Sequence, residues 1–127
     1  KTGEETGKLL KEKFKDNYIN CGTFFYDGCH SVIDMDDKDV KPIYLKKNSE
    51  NSLEELLNSF DIPLFILDLK TIKKENNKLA KAILNKINYR TVGAAPVKRD
   101  FKSGNISEDF DYLIFIKNST ASKLLPN

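Results

Sequence analysis

The chain has 127 residues, enough for one domain with a substantial hydrophobic core. Its 39% hydrophobic and 31% charged residues indicate a soluble globular protein and exclude a disordered one. The 21 basic and 19 acidic residues leave a net charge of +2 and are interspersed, which argues against nucleic-acid binding. No apolar run approaches the roughly 20 residues of a membrane-spanning helix, so we expect no membrane contact.

The two cysteines and the first residues bear on location. Cys21 and Cys29 are too few for a disulfide framework and lie outside C-x-x-C spacing, so we expect reduced thiols in a cytoplasmic protein. The polar, acidic opening from Lys1 to Glu5 has none of the features of a secretory signal peptide. Because the first residue is Lys and not Met, the chain is either trimmed or part of a longer protein, and we favour the second.

The first third of the chain predicts a helix and then several strands. Apolar spacing predicts a helix from Thr6 to Lys15. Aromatic and β-branched residues predict a hairpin near Tyr18 to Ile33, with Asp27-Gly28 as its turn. Another strand is expected from Val40 to Lys46, where Pro42 would place it at a sheet edge.

The strongest patterns come later. Ser52 and Glu55 form a capping box that begins a helix, and a further helix is predicted from Asn77 to Ile87. Uninterrupted apolar runs from Leu64 to Leu69 and from Asp111 to Lys117 are typical of strands with both faces buried. The predicted fold is therefore a single α/β unit over residues 1–127, a layered sheet whose buried central strands are these two, covered by helices. The stretch from Asp100 to Asp109 is predicted to be a polar loop.

Cys29 and His30 are the first candidate site residues. A histidine beside a cysteine can hold it as the nucleophilic thiolate, and His30 is the only histidine in the chain. Consecutive side chains on a strand point to opposite faces, however, which separates the two groups. The alternative is a partly exposed loop histidine beside an inert thiol.

The acidic residues suggest two further sites. The run Asp34, Asp36, Asp37, Asp39 invites a cation, but Lys38, Asp39 and Leu45 occupy the fifth, sixth and twelfth positions of the expected calcium loop. We therefore expect a solvated acidic turn and no metal. Asp68 closes an apolar strand and is either a site residue or the structural partner of Arg90 or Lys70.

Glycine-rich phosphate motifs are not found. The chain contains neither G-x-x-x-x-G-K nor G-x-G-x-x-G, so we expect no cofactor. Gly93-Ala94-Ala95-Pro96 could bring backbone close to a ligand, or could simply end a strand.

Several segments, taken in order, carry a family resemblance. The chain resembles the C-terminal part of erythromycin esterase-like proteins, a family that includes succinoglycan-biosynthesis homologues. The similarity lies in Thr6-Gly7-Lys8-Leu9-Leu10, Tyr18 to Gly28, Ser52-Leu53-Glu54, the strand that ends Asp68-Leu69, Arg90-Thr91-Val92-Gly93, Phe110 to Ile116, and Ser119-Thr120-Ala121-Ser122.

The resemblance implies hydrolysis of a macrolide lactone ester, an activity that gives antibiotic resistance. It also implies a histidine and glutamate that activate water, in motifs N-terminal to the matched part, so no catalytic residue is assigned here and His30 matches none of them. We expect a hydrolase segment that is not catalytic by itself and meets a macrolide or other ester only through the longer protein. Two alternatives remain: a stand-alone α/β binding or accessory module, and a small cysteine enzyme that uses Cys29.

Overall fold

A four-stranded sheet and a two-stranded sheet, with short helices around them, make up the fold. The computed structural model describes residues 6–36, 38–46, 48–92 and 100–123. In chain order the elements are α1 (Thr6–Phe14), a 3-10 turn (Lys15–Asn17), β1 (Cys21–Ile33), β2 (Val40–Tyr44), α2 (Leu53–Asn58), β3 (Leu64–Asp68), α3 (Leu69–Ile72), α4 (Lys78–Leu84), β4 (Lys86–Arg90), β5 (Phe101–Asn105), α5 (Ile106–Asp109) and β6 (Tyr112–Ser119).

The larger sheet has the order β2-β1-β6-β3. β1 and β6 are parallel, whereas β2 pairs with β1 and β3 pairs with β6 in antiparallel fashion. The predicted α/β class is confirmed, and β6 is central, as expected. Leu113 and Phe115 on β6 are fully buried.

The strand from Leu64 to Leu69 is not central, which corrects the prediction. It forms β3 at the edge of the sheet, and Leu64 and Ile66 are 62% and 66% exposed. Only the alternate residues, Phe65 and Leu67, pack against the core. The apolar run therefore predicted a strand correctly, but no described residues pack over the face of β3 that carries Leu64 and Ile66.

The hairpin predicted within residues 18–33 is also wrong. β1 runs without interruption through Asp27 and Gly28. Gly28 adopts a φ of +106°, and a Cβ at this position would collide with the carbonyl oxygen of Ser119 on β6. The glycine is thus required by a close approach of two strands and not by a turn. The hairpin forms instead between β1 and β2, and Pro42 lies in the edge strand β2, as predicted.

The core lies between the inner face of the larger sheet and the elements that cover it. Its fully buried side chains come from α2, the starts of α3 and α5, α4, and β6, namely Leu53, Leu57, Leu69, Ile83, Ile106, Leu113 and Phe115. The Ser52 half of the capping box is confirmed, since the Glu55 amide donates to Ser52 Oγ at 3.4 Å. The reciprocal half is not formed, because the Ser52 amide donates to the Ser49 carbonyl oxygen at 3.1 Å. No helix in the described part of the chain is both long and apolar enough to cross a membrane.

Two other boundaries differ from the predictions. The helix expected from Asn77 to Ile87 ends at Leu84 because the chain turns into β4, which pairs with β5. The predicted polar loop from Asp100 to Asp109 contains β5 and α5. The sequence of β5 can be polar because the residues of this short strand are exposed or partly exposed.

Candidate functional site at the carboxyl end of β6

A pocket of about 510 Å³ opens at the carboxyl end of β6, where this strand runs beside β1. Open α/β sheets place ligands outside the carboxyl ends of parallel strands, and ligand pockets typically measure roughly 300–1,000 Å³. Apolar, hydroxyl and amide groups share the lining, which consists of Phe25, Cys29, His30, Ser31, Val92, Ile116, Asn118, Ser119, Thr120 and Ser122.

The end of β6 and the residues that follow it are tied to β1 by hydrogen bonds. Ser119 Oγ donates to the carbonyl oxygen of Cys29 at 2.8 Å. The Ala121 amide donates to Cys29 Sγ at 3.3 Å, and the Ser122 amide donates to Ser31 Oγ at 2.9 Å. These hydrogen bonds hold the pocket wall against β1.

Cys29 and His30 both line the pocket, but they do not form a dyad. Among the described residues no hydrogen bond joins their side chains, and His30 Nδ1 is buried without a partner. Their cross-strand neighbours on β2 are Tyr44 and Ile43, which lie on opposite faces of the sheet. The described lining also holds no carboxylate that could orient the imidazole.

A buried ionic network lies next to the pocket and was not foreseen from the sequence. Arg90 is 5% exposed and donates through Nη2 to the Lys46 carbonyl oxygen at 2.7 Å and to Asn48 Oδ1 at 2.8 Å. Its Nη1 lies 3.6 Å from Asp100 Oδ2. The network secures the end of β4, and Val92, two residues further on, lines the pocket.

Glu54 completes this network from α2. Its Oε1 accepts the Arg90 backbone amide at 2.7 Å, while Oε2 has no partner among the described residues. Burial raises the pKa of Glu54, and the hydrogen bond from the Arg90 amide partly opposes this rise. Burial also lowers the pKa of Arg90, and the negative charge of Glu54 is the main interaction that opposes this fall. No local pattern distinguishes Glu54 from Glu55, because its burial is imposed by β4, 36 positions away.

Asp68 is a helix cap, at the end of the sheet opposite the pocket. Its Oδ1 accepts the amides of Lys70 and Thr71 at 2.9 and 3.3 Å, and its Oδ2 accepts the Thr71 hydroxyl at 3.0 Å. The Thr71 hydroxyl is the main reason that the pKa of Asp68 is lowered. Arg90 contacts other groups, so the proposed Asp68–Arg90 pair does not form.

The acidic run forms the turn between β1 and β2. Asp34 Oδ1 accepts the Asp36 amide at 2.9 Å, and Asp34 Oδ2 pairs with Lys41 at 2.8 Å. The described part of the chain contains no group of three side chains able to hold a metal. Asp37 and the stretch 93–96 lie outside the described residues.

A larger groove of about 810 Å³ lies at the other end of the sheet, near Asn20 and Asp111. Its polar groups largely satisfy one another: Lys73 donates to the Ser107 carbonyl oxygen at 2.7 Å, and Asp111 accepts the Asn20 amide at 2.8 Å. Such pairing leaves fewer groups for a ligand, and the amino ends of parallel strands are not the usual ligand position.

Comparison with known proteins gives a family match for the chain. The model of the erythromycin esterase family matches residues 1–119. The chain is similar in structure to a crystallised protein from Bacillus cereus, with a TM-score of 0.78 and 20% identity over 93% of this chain and 29% of that one. It is also similar to a crystallised succinoglycan biosynthesis protein, with a TM-score of 0.77 and 17% identity over 92% of this chain and 28% of the other. Among curated proteins there is no significant match. The chain thus spans less than a third of the solved chains that it matches.

Proposed function

The chain belongs to the erythromycin esterase family, and on this premise we propose that it is the C-terminal portion of a hydrolase that opens the lactone ester of a macrolide. In this proposal the chain supplies sheet scaffold and one wall of the substrate cleft, at the carboxyl end of β6. The water-activating groups come from elsewhere in the protein, and the chain alone is not catalytic. The enzyme acts in the cytoplasm, which is consistent with two free thiols at Cys21 and Cys29.

The single observation that carries the proposal is the composition of the pocket. Ester hydrolysis by activated water needs a general base in a suitable orientation and donors for the oxyanion. The described lining offers one imidazole, His30, whose Nδ1 has no partner and no neighbouring carboxylate. Phe25, Val92 and Ile116 provide apolar contact area, while Asn118 and Thr120 provide polar contacts suited to an oxygen-rich ligand.

A binding or accessory module without enzymatic activity is the second candidate, and it shares this pocket. This module differs from the hydrolase segment in one respect, because its function requires no reacting groups from another part of a longer protein. The cysteine-enzyme alternative requires a base for Cys29, and its sulfur instead accepts a backbone amide.

The decisive experiment incubates the purified, folded chain with erythromycin and follows the lactone by mass spectrometry. We expect the lactone to stay intact. Turnover would reject the proposal, and Cys29→Ser and His30→Gln variants would then show which side chain is responsible. Retained turnover in Cys29→Ser with loss in His30→Gln would indicate activated water, and the reverse would indicate the thiol.

A further inference from the structure

One face of the larger sheet is apolar and lacks a covering element among the described residues. We call it the outer face and define it by Phe25 on β1, Ile114 and Ile116 on β6, and Leu64 and Ile66 on β3. Register places these side chains together, because Leu64 pairs with Ile116, Ile66 with Ile114, and Phe25 with Ile116. The opposite face carries Phe24, Leu113 and Phe115, all buried in the core.

The exposure of this face is unusual for a free surface. Leu64 and Ile66 are 62% and 66% exposed, and the other three side chains are partly exposed. β3 is moreover an edge strand whose first four residues, Leu64 to Leu67, are all apolar and whose only charged residue is Asp68 at its end, whereas free edges usually carry charges, prolines or bulges along their length. A contiguous apolar patch beside such an edge is typical of an interaction surface.

The outer face is continuous with the pocket. Phe25 and Ile116 belong to the outer face and also line the pocket at the carboxyl end of β6. A protein layer laid on this face would therefore border the pocket mouth and turn an open depression into an enclosed cleft.

The solved chains are long enough to supply such a layer. They share this fold over more than nine-tenths of the present chain, yet that region is only 29% and 28% of their own length. Sheets with an apolar face are covered in α/β proteins by helices. We propose that the outer face is the docking surface for a helical layer from the remaining part of the family fold, and that this docking completes the substrate cleft. The inference rests on the proposed function.

The test uses the remaining part of the Bacillus cereus protein, expressed without its matched region, as the probe. Binding is measured by sedimentation velocity and by displacement of a dye that fluoresces on apolar surfaces. The wild-type chain should bind the dye and lose it to the probe. A Leu64→Lys/Ile66→Lys variant should bind the probe roughly tenfold or more weakly, because each lysine would be desolvated at the interface.

Met35→Lys is the matched control. Met35 is 73% exposed and lies in the turn after β1, so this change places one lysine at an exposed apolar position away from the outer face and should leave probe binding unaltered. The exposure of all three positions means that the variants should fold like wild type, which circular dichroism verifies.

Three outcomes would overturn the inference: no probe binding by the wild-type chain, equal binding by the double variant, or a wild-type dimer that the double variant disrupts and the probe does not. The last would make a second copy the occupant. Erythromycin turnover by the chain alone is read in a separate assay, so failure of the proposed function remains distinguishable from failure of docking.

Discussion

Gly28→Ala should destabilise the protein strongly, because this glycine packs against the backbone of Ser119 on β6, beside the pocket. The backbone has a φ of +106°, which an L side chain rarely adopts, and the new methyl would collide with the Ser119 carbonyl and lie 2.7 Å from the Ser119 amide nitrogen. Such a conformation costs about 1–3 kcal/mol for a non-glycine residue. Separating the strands would lose one or two hydrogen bonds, about 0.5–1.5 kcal/mol each.

We therefore expect the free energy of unfolding to fall by about 1.5–6 kcal/mol, measured by urea denaturation with circular dichroism. Gly7→Ala in α1 is the control: its new Cβ would lie no closer than 3.6 Å to Tyr18 Oη, and no stability should be lost. In a Cys21→Ser background, Gly28→Ala should also speed alkylation of Cys29, since displacement of Ser119 frees the segment that covers the sulfur. A loss below about 1 kcal/mol would refute the reasoning, because strain alone should exceed it.

Three further changes test the core, the ionic network and the helix cap. Phe115→Ala should lower the free energy of unfolding by about 3–5 kcal/mol in urea denaturation, whereas Phe60→Ala, at a 44% exposed ring, should cost clearly less. Because the folded-state pKa of Glu54 is raised, wild-type stability should fall as pH rises from about 4.5 and level off above the folded pKa. The free energy of unfolding of Glu54→Gln, relative to that of wild type, should therefore rise with pH across that window, and a difference that does not change with pH would contradict the raised pKa. The lowered pKa of Asp68 has the opposite sign, so its contribution should be present above about pH 3.8 and lost below it, and Asp68→Ala should remove that acid dependence.

Local signals in the sequence predicted local features well. The Ser52 cap, the edge position of Pro42 and the strand at the chain's end all follow from short-range chemistry, and all are observed. Asp27-Gly28 misled because a turn and a close strand approach select glycine for the same conformational reason, and only the distant Ser119 distinguishes them. Leu64 and Ile66 led to the wrong prediction of a central strand. An apolar residue favours burial, but the sequence does not show which element, if any, covers it.

The site could be predicted only in part, for a similar reason. Cys29 and His30 were recognisable as residue types, and the structure does bring both to one pocket. The pairing of Glu54 with the Arg90 amide depends on contacts between α2 and β4 that no spacing rule encodes. The hydroxyl-rich wall after β6 became interpretable only once β6 was known to run parallel to β1.

The central claim is that this chain folds stably but does not by itself carry the reacting groups needed for ester hydrolysis. It is tested most directly by one paired measurement on a single sample: urea unfolding to show a cooperative transition, and mass spectrometry of erythromycin incubated with the same protein. We predict cooperative unfolding together with an unchanged lactone. A chain that unfolds cooperatively and converts erythromycin to the ring-opened acid would contradict the account.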